Sequence, residues 1–123
     1  TLFRSARALA ARPAVLLMDE PYSAVDPVVR AHLQDELLAL HGRVETTIVL
    51  VTHDIDEAVR LGDRVAVFAN GGRLAQYATP DELMAAPADE FVESFALAAR
   101  HWKARQGDLR GAFLKHRTPS AAR

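Results

Sequence analysis

Two short apolar runs, each closed by a cluster of polar residues, constrain the fold of this chain more than any other feature. The first run, residues 14–18, is followed by Asp19, Glu20 and Pro21. The second run, residues 48–51, ends the β-branched segment 46–51 and is followed by Thr52, His53 and Asp54. Uninterrupted apolar runs of this length are typical of strands that are buried on both faces of a parallel sheet. A helical pattern follows each run. The order of elements therefore predicts an α/β fold with a mostly parallel sheet and flanking helices.

Capping residues mark the helices that follow these strands. Asp26 before Pro27 is a strong helix start, because Asp accepts hydrogen bonds from the first helical amides and Pro tolerates the first turn. Gly42 predicts the end of that helix. A second, short helix is expected over residues 56–61, with Gly62 as its stop.

The remaining elements form a predicted C-terminal hairpin followed by helices. Asn70-Gly71-Gly72 lies between two strand-like segments, residues 64–69 and 73–78, and indicates a tight turn. Thr79 and Glu82 have the spacing of a capping box, which opens a helix through residue 84. A last helix is expected over residues 89–105. Its pattern places five apolar residues on one side: Phe91, Val92, Phe95, Ala99 and Trp102.

Composition excludes several classes of protein. The chain has 123 residues, of which 50% are hydrophobic and 25% charged, as expected for one globular domain. No apolar run approaches the roughly 18 to 20 residues of a membrane-spanning helix. The absence of Cys excludes thiolate zinc sites, a catalytic Cys and disulfides, and it fits a reducing cytosol. Residues 100–123 carry seven Lys/Arg against one acidic residue, so we expect a basic, flexible tail over residues 106–123.

The polar residues at the two strand ends are candidates for chemistry. Ligands of parallel α/β sheets bind beyond the carboxyl ends of the strands. If the chain stays extended, the side chains of Asp19 and Glu20 point to different sides, so one carboxylate can serve a cation while its neighbour faces a water. Taken singly, an acidic strand end and the lone His53 also fit purely structural roles.

Their combination resembles a known family. Residues 16–21 (Leu-Leu-Met-Asp-Glu-Pro), 23–26 (Ser-Ala-Val-Asp) and 51–54 (Val-Thr-His-Asp) are similar, in order and spacing, to the Walker B strand, the D-loop and the H-loop of ABC transporter nucleotide-binding subunits. Residues 7–10 (Arg-Ala-Leu-Ala) match the helix that follows the family's signature sequence. The resemblance covers residues 6–100 and implies part of a P-loop NTPase domain.

The resemblance also implies roles for five residues. Asp19 would hold Mg²⁺, usually through water, and Glu20 would polarise the water that attacks the γ-phosphate of ATP. His53 would contact the γ-phosphate and the attacking water. Ser23 and Asp26 would line the seam between two ATPase subunits.

The chain also departs from the family pattern. It contains no GxxxxGK[ST] phosphate cradle, no LSGGQ signature and no glutamine loop. We therefore interpret residues 6–105 as the C-terminal half of the nucleotide-binding domain and residues 1–5 as a non-native leader. Without the cradle the chain by itself is expected to be inactive and not to bind ATP.

Within the family, residues 24–30 and 52–64 look most like importers of quaternary-ammonium osmoprotectants such as glycine betaine and choline. Importers of polyamines and amino acids share much of this pattern and stay as alternatives. Two further alternatives are an ABC-type ATPase that acts on DNA or ribosomes and a non-enzymatic interaction module. The importer interpretation implies a homodimer of ATPase subunits that binds transmembrane permease subunits. It also implies an indirect link to a solute-binding protein and no nucleic-acid partner. The subunit would lie peripherally at the cytoplasmic face of the membrane.

Overall fold

The computed structural model describes residues 7, 8 and 10–99. Within this part the chain divides into two compact units, one ending at Asp63 and the other beginning at Arg64. Arg7, Ala8 and Ala10 are helical. The predicted leader, the predicted basic tail and the end of the predicted last helix, including Trp102, lie outside the described residues, so the predicted domain boundaries stay predictions.

The first unit is built on a parallel strand pair. Strands β1 (Val15–Asp19) and β2 (Thr47–Val51) pair in parallel, with Val15 opposite Thr47 and Asp19 opposite Val51. Helix α1 (Pro27–His41) follows β1, and helix α2 (Ile55–Leu61) follows β2. Because parallel strands end at the same edge of a sheet, the polar residues that follow the two strands lie together. The predicted α/β architecture is confirmed.

The prediction that both strands are buried on two faces is wrong. In β1, Leu16 and Met18 are buried, whereas Val15 and Leu17 keep 57% and 70% of their surface exposed. In β2, Val49 and Val51 are also exposed. Side chains alternate between the two faces of a sheet, so one face of this pair is covered and the other carries an exposed apolar surface. An apolar run shows that a strand can be buried, and burial itself depends on what packs against it.

Helices α1 and α2 each begin after an aspartate whose side chain caps the helix. The Val28 amide donates to the Asp26 side chain at 3.0 Å, with Pro27 in the first turn, as predicted. Gly42 ends α1. The Asp54 carboxylate accepts from the amides of Asp56 at 2.9 Å and Glu57 at 3.4 Å, so α2 begins at Ile55, one residue before the predicted start.

Buried polar side chains join α1 to α2. Gln34 and Glu57 are each only 5% exposed, and the Gln34 amide nitrogen donates to Glu57 at 3.1 Å. Arg60 donates to the Gln34 amide oxygen at 2.7 Å and pairs with Asp35. Since a buried polar group is costly unless it is hydrogen-bonded, this network fixes how the two helices align.

The second unit contains the predicted hairpin. Strands β3 (Val65–Ala69) and β4 (Arg73–Ala78) pair antiparallel, with a register irregularity between Val67 and Phe68. Gly71 and Gly72 have φ values of 78° and 75°, a left-handed conformation that glycine adopts without strain. The two-glycine turn is therefore required by the backbone.

Two helices follow the hairpin among the described residues of the second unit. Helix α3 (Pro80–Ala85) begins with the predicted capping box of Thr79 and Glu82. Helix α4 comprises residues 90–99, within which Val92, Ala96 and Ala99 are buried and Phe91 is 37% exposed. None of the helices in the described part of the chain is long and apolar enough to cross a membrane.

Candidate functional site

The backbone turns sharply at Glu20, directly after β1. Glu20 has a φ of 45°, in the left-handed region, so the expectation of an extended chain through Asp19 and Glu20 is wrong. This conformation costs a residue with a side chain about 1–3 kcal/mol. Two hydrogen bonds hold it: the Glu20 amide donates to the Val51 carbonyl at 2.8 Å, and the Ser23 amide donates to the Glu20 carbonyl at 3.3 Å. The end of β2 thus sets the direction of the Glu20 side chain.

Glu20 and His53 are in direct contact. The carboxylate oxygen Oε1 of Glu20 lies 2.8 Å from Nδ1 of His53 and accepts a hydrogen bond from the His53 amide at 2.9 Å. A carboxylate can only accept here, so Nδ1 carries the proton and Nε2 is the ring nitrogen left for other partners. The His53 side chain is 82% exposed and that of Glu20 33% exposed. The backbone amide of His53 thus helps to hold the pair together, and the imidazole is open to solvent.

This contact raises the pKa of His53 above its ordinary value of 6.5. The main cause is the hydrogen bond to the Glu20 side chain, followed by the negative charge of Glu20, with smaller contributions from Asp54 and Glu57. The carboxylate therefore favours the imidazolium, in which Nε2 is a hydrogen-bond donor. A protonated His53 at this edge can donate to an anionic ligand such as a phosphate.

The structure brings three of the five predicted site residues to one cleft. Glu20, Ser23 and His53 line this open cleft at the strand ends. Asp19 ends β1 and is exposed beside the cleft without lining it. Asp26 is exposed, and its carboxylate caps α1.

Five further residues line the cleft: Tyr22, Arg30, Thr52, Asp54 and Glu57. Thr52 and Asp54 belong to the segment that resembles the H-loop, whereas no function was predicted from the sequence for Tyr22, Arg30 or Glu57. The Arg30 guanidinium donates to the Val25 carbonyl at 3.0 Å and pairs with the Asp54 carboxylate at 3.7 Å. An arginine one helical turn after the capping Asp26 was the available signal, because it can fold back over the turn that precedes the helix. The sequence does not show that Asp54 is the partner of Arg30 across the cleft.

Tyr22 and Glu57 form the buried wall of the cleft. Tyr22 is 7% exposed, and its pKa is raised to about 12, first by burial and then by the charge of Glu57, with Arg60 acting in the opposite direction. The phenol therefore stays neutral across the physiological range. Tyr22 and Glu57 therefore form the part of the cleft lining that is least exposed to solvent.

Comparison with known proteins indicates the family of the chain. The chain is 58% identical over 89 residues to the osmoprotectant import ATP-binding protein OsmV of Salmonella typhimurium, covering 72% of this chain and 23% of that protein. The chain belongs with the ATP-binding subunits of ABC transporters. It is also 50% identical over 90 residues to the glycine betaine/proline betaine transport system ATP-binding protein ProV of Escherichia coli, covering 73% of this chain and 22% of that protein.

Other ABC proteins extend this comparison. The glycine betaine/carnitine/choline transport ATP-binding protein OpuCA of Bacillus subtilis is 45% identical over 113 residues, covering 92% of this chain and 30% of that protein. The structure of cbiO1 from Clostridium perfringens, part of the ABC transporter complex cbiONQ, superposes with a TM-score of 0.54 at 32% identity, covering 62% of this chain and 30% of that one. No protein-family model matches the chain. The chain spans less than a third of the length of these relatives.

Proposed function

We propose that a complete subunit containing this chain hydrolyses ATP to drive an ABC importer. The observation that carries the proposal is the contact between Glu20 and His53 at the edge where both strands end, with Asp19 beside it. Relatives that are 45–58% identical are named as ATP-binding proteins of transport systems, which supports the same assignment.

Glu20 is the proposed general base. Both hydrogen bonds from His53 end on Oε1, and Oε2 makes no hydrogen bond to any residue that the structure describes. That second oxygen is able to accept the proton of a water molecule that attacks a phosphate. His53 keeps the carboxylate oriented because two donors hold one oxygen. The strained backbone of Glu20 fixes the direction from which the carboxylate approaches.

His53 is proposed to contact the transferred phosphate. With Nδ1 bound to Glu20, the exposed Nε2 points away from the carboxylate and is free to donate when the ring is protonated. Charge-assisted hydrogen bonds of this kind stabilise negative charge on phosphate oxygens. In this proposal the His53 side chain both orients the carboxylate of Glu20 and contacts the phosphate.

Asp19 is the proposed ligand of Mg²⁺. The described residues contain no group of three or more His, Cys, Asp or Glu side chains that would hold a metal by itself. Mg²⁺ usually keeps several waters and needs only one or two carboxylates together with substrate phosphates, so one exposed Asp19 fits this ion. When bound, the ion neutralises charge on the phosphates. Ser23, in the exposed turn of the cleft, and Asp26, next to it, are proposed to face the second ATPase subunit.

The proposed cargo is a quaternary-ammonium osmoprotectant. The proposal rests on the names of the relatives, which include osmoprotectant, glycine betaine, carnitine and choline transport. In this role the subunit forms a homodimer on transmembrane permease subunits at the cytoplasmic face of the membrane. A solute-binding protein is linked to it only through the permease.

Deletion of the complete gene tests the cargo. We expect loss of betaine or choline uptake at high external salt, with polyamine and amino-acid uptake unchanged. Complementation with the wild-type gene should restore uptake, and complementation with Glu20→Gln should not. Loss of polyamine or amino-acid uptake instead would move the protein to another importer group without affecting the assignment of the ATPase residues.

A further inference from the structure

We propose that Arg30 is a positioning residue that joins the turn bearing Ser23 to the loop bearing His53, so that the two segments move as one unit. The proposal rests on the proposed ATPase function for its kinetic consequence and on the described contacts for its geometry. Arg30 lies in the first turn of α1 and lines the same cleft as Ser23 and His53.

The guanidinium is rigidly tied to the turn before α1. The Arg30 amide donates to the Asp26 carbonyl at 2.7 Å, and the Arg30 side chain returns to the Val25 carbonyl at 3.0 Å. The turn is closed further by the Val25 amide, which donates to the Tyr22 carbonyl at 3.2 Å. Backbone and side chain of Arg30 therefore both hold the segment that carries Ser23.

The partner of Arg30 is equally fixed. Asp54 follows His53 directly, and its Oδ1 caps α2 by accepting from the Asp56 and Glu57 amides. Its other oxygen, Oδ2, lies 3.7 Å from the Arg30 guanidinium. The Asp54 amide also donates to the Thr52 hydroxyl at 3.0 Å. The ion pair thus connects two segments that are each held by their own hydrogen bonds.

Stability alone does not account for an arginine at this position. The side chains of Arg30 and Asp54 are 30% and 37% exposed, and pairs with this exposure contribute about 0–1 kcal/mol. The Arg30 Nε is buried and has no hydrogen-bond partner among the described residues, which opposes folding. The planar guanidinium of Arg30 binds a carbonyl on one segment and a carboxylate on the other at the same time. Lys does not reproduce this geometry.

The test compares Arg30→Met and Arg30→Lys with wild type in the complete subunit that contains this chain. The matched control is Arg60→Met, because Arg60 also joins α1 and α2, through Gln34 and Asp35, and does not line the cleft. One readout is the pH midpoint for modification of His53 by diethylpyrocarbonate, measured by mass spectrometry. His32, which is 74% exposed and pairs with Glu36, is an internal reference on the same molecule.

The direction in which the His53 midpoint shifts distinguishes a positioning role of Arg30 from the simple effect of its charge. Loss of a nearby positive charge, with the loop in place, would raise the midpoint. Release of the loop weakens the contact with Glu20, and we therefore expect Arg30→Met to lower the midpoint, Arg30→Lys to lower it less, and Arg60→Met to leave it unchanged. An unchanged or raised midpoint in Arg30→Met would overturn the proposal.

ATP hydrolysis supplies the second readout. We expect Arg30→Met to lower kcat by about tenfold to a hundredfold, with KM for ATP changed little, because a small displacement of reacting groups is enough for such a loss. A loss in KM alone would contradict positioning. A wild-type subunit without ATPase activity would refute the proposed function, while the His53 midpoint would still decide the role of Arg30. If Arg30→Met fails to fold, Arg30→Lys carries the test, because it keeps the positive charge and removes only the geometry of the guanidinium; a His53 midpoint in Arg30→Lys at or above that of wild type would then overturn the proposal.

Discussion

Glu20 and His53, 33 positions apart in sequence, meet through a single carboxylate oxygen that accepts from both the His53 ring and the His53 backbone. The parallel register of β1 and β2 makes this possible, because Asp19 and Val51 are opposite each other and the next residues leave the sheet at one edge. One carboxylate therefore fixes the orientation of the imidazole by accepting hydrogen bonds from its ring and its backbone.

Replacement of Glu20 by Gln in the complete subunit should separate binding from hydrolysis. The amide is nearly the same size and still accepts the hydrogen bonds of His53, but it is not a base. We expect ATP affinity close to wild type and kcat reduced by about a hundredfold or more. Single-turnover hydrolysis and equilibrium nucleotide binding measure the two quantities. Equal losses in both would contradict the role of Glu20 as a base. Glu36→Gln on the exposed side of α1 is the matched control and should leave both unchanged.

The titration of His53 should depend on Glu20. The pKa of His53 is raised by the hydrogen bond and charge of Glu20, so the contact stabilises the fold fully below about pH 6.5 and its contribution is lost as the pH rises through the raised pKa. In Glu20→Gln the charge is gone, and we expect the His53 pKa to fall toward its ordinary value. Ring chemical shifts of His53 against pH provide the measurement. A His53 pKa that does not move in this variant would show that the contact is not formed in solution.

Sequence was sufficient where the physical determinant is local. The capping aspartate Asp26, the capping box of Thr79 and Glu82, and the two glycines of the hairpin each act within four residues of the element they define. Their predicted positions are confirmed to within a residue. The grouping of Glu20 and His53 was also predictable, because it follows from two parallel strands that end in polar residues.

Contacts between distant segments were not predictable in the same way. The left-handed backbone of Glu20 depends on the Val51 carbonyl, and the ion pair of Arg30 depends on where α2 begins. The exposed face of β1 has the same origin: residues 15–18 are uniformly apolar, so nothing in the run itself says which side chains are covered. Each of these features is set by packing after the strands and helices have formed.

The buried network between α1 and α2 should be sensitive to loss of Gln34. Gln34→Leu removes the donor to Glu57 and the acceptor of Arg60 at once, which leaves a carboxylate that is 5% exposed without that partner. We expect a loss of about 2–4 kcal/mol in the free energy of unfolding. Denaturant titration of the complete subunit measures it. On the same helix, His32→Ala disrupts the exposed pair with Glu36 and should change stability by less than about 0.5 kcal/mol. Similar effects of both substitutions would contradict a structural role for the network.

The exposed apolar face of the parallel pair should make the 123-residue chain associate when it is expressed by itself. Val15, Leu17, Val49 and Val51 form this face, and the strands of a two-stranded pair also present unpaired edges. Sedimentation velocity over a range of concentrations should show species larger than a monomer.

Two neighbouring leucines on β1 give a matched pair for this test. Leu17 is 70% exposed and Leu16 is 9% exposed, so the same substitution probes opposite faces of one strand. Leu17→Ala should reduce association while changing the stability of the 123-residue chain by less than about 0.5 kcal/mol. Leu16→Ala should lower that stability by about 2 kcal/mol or more and should not reduce association, because it leaves the exposed face intact. A wild-type chain that sediments as a monomer and melts cooperatively would show that this face needs no covering partner.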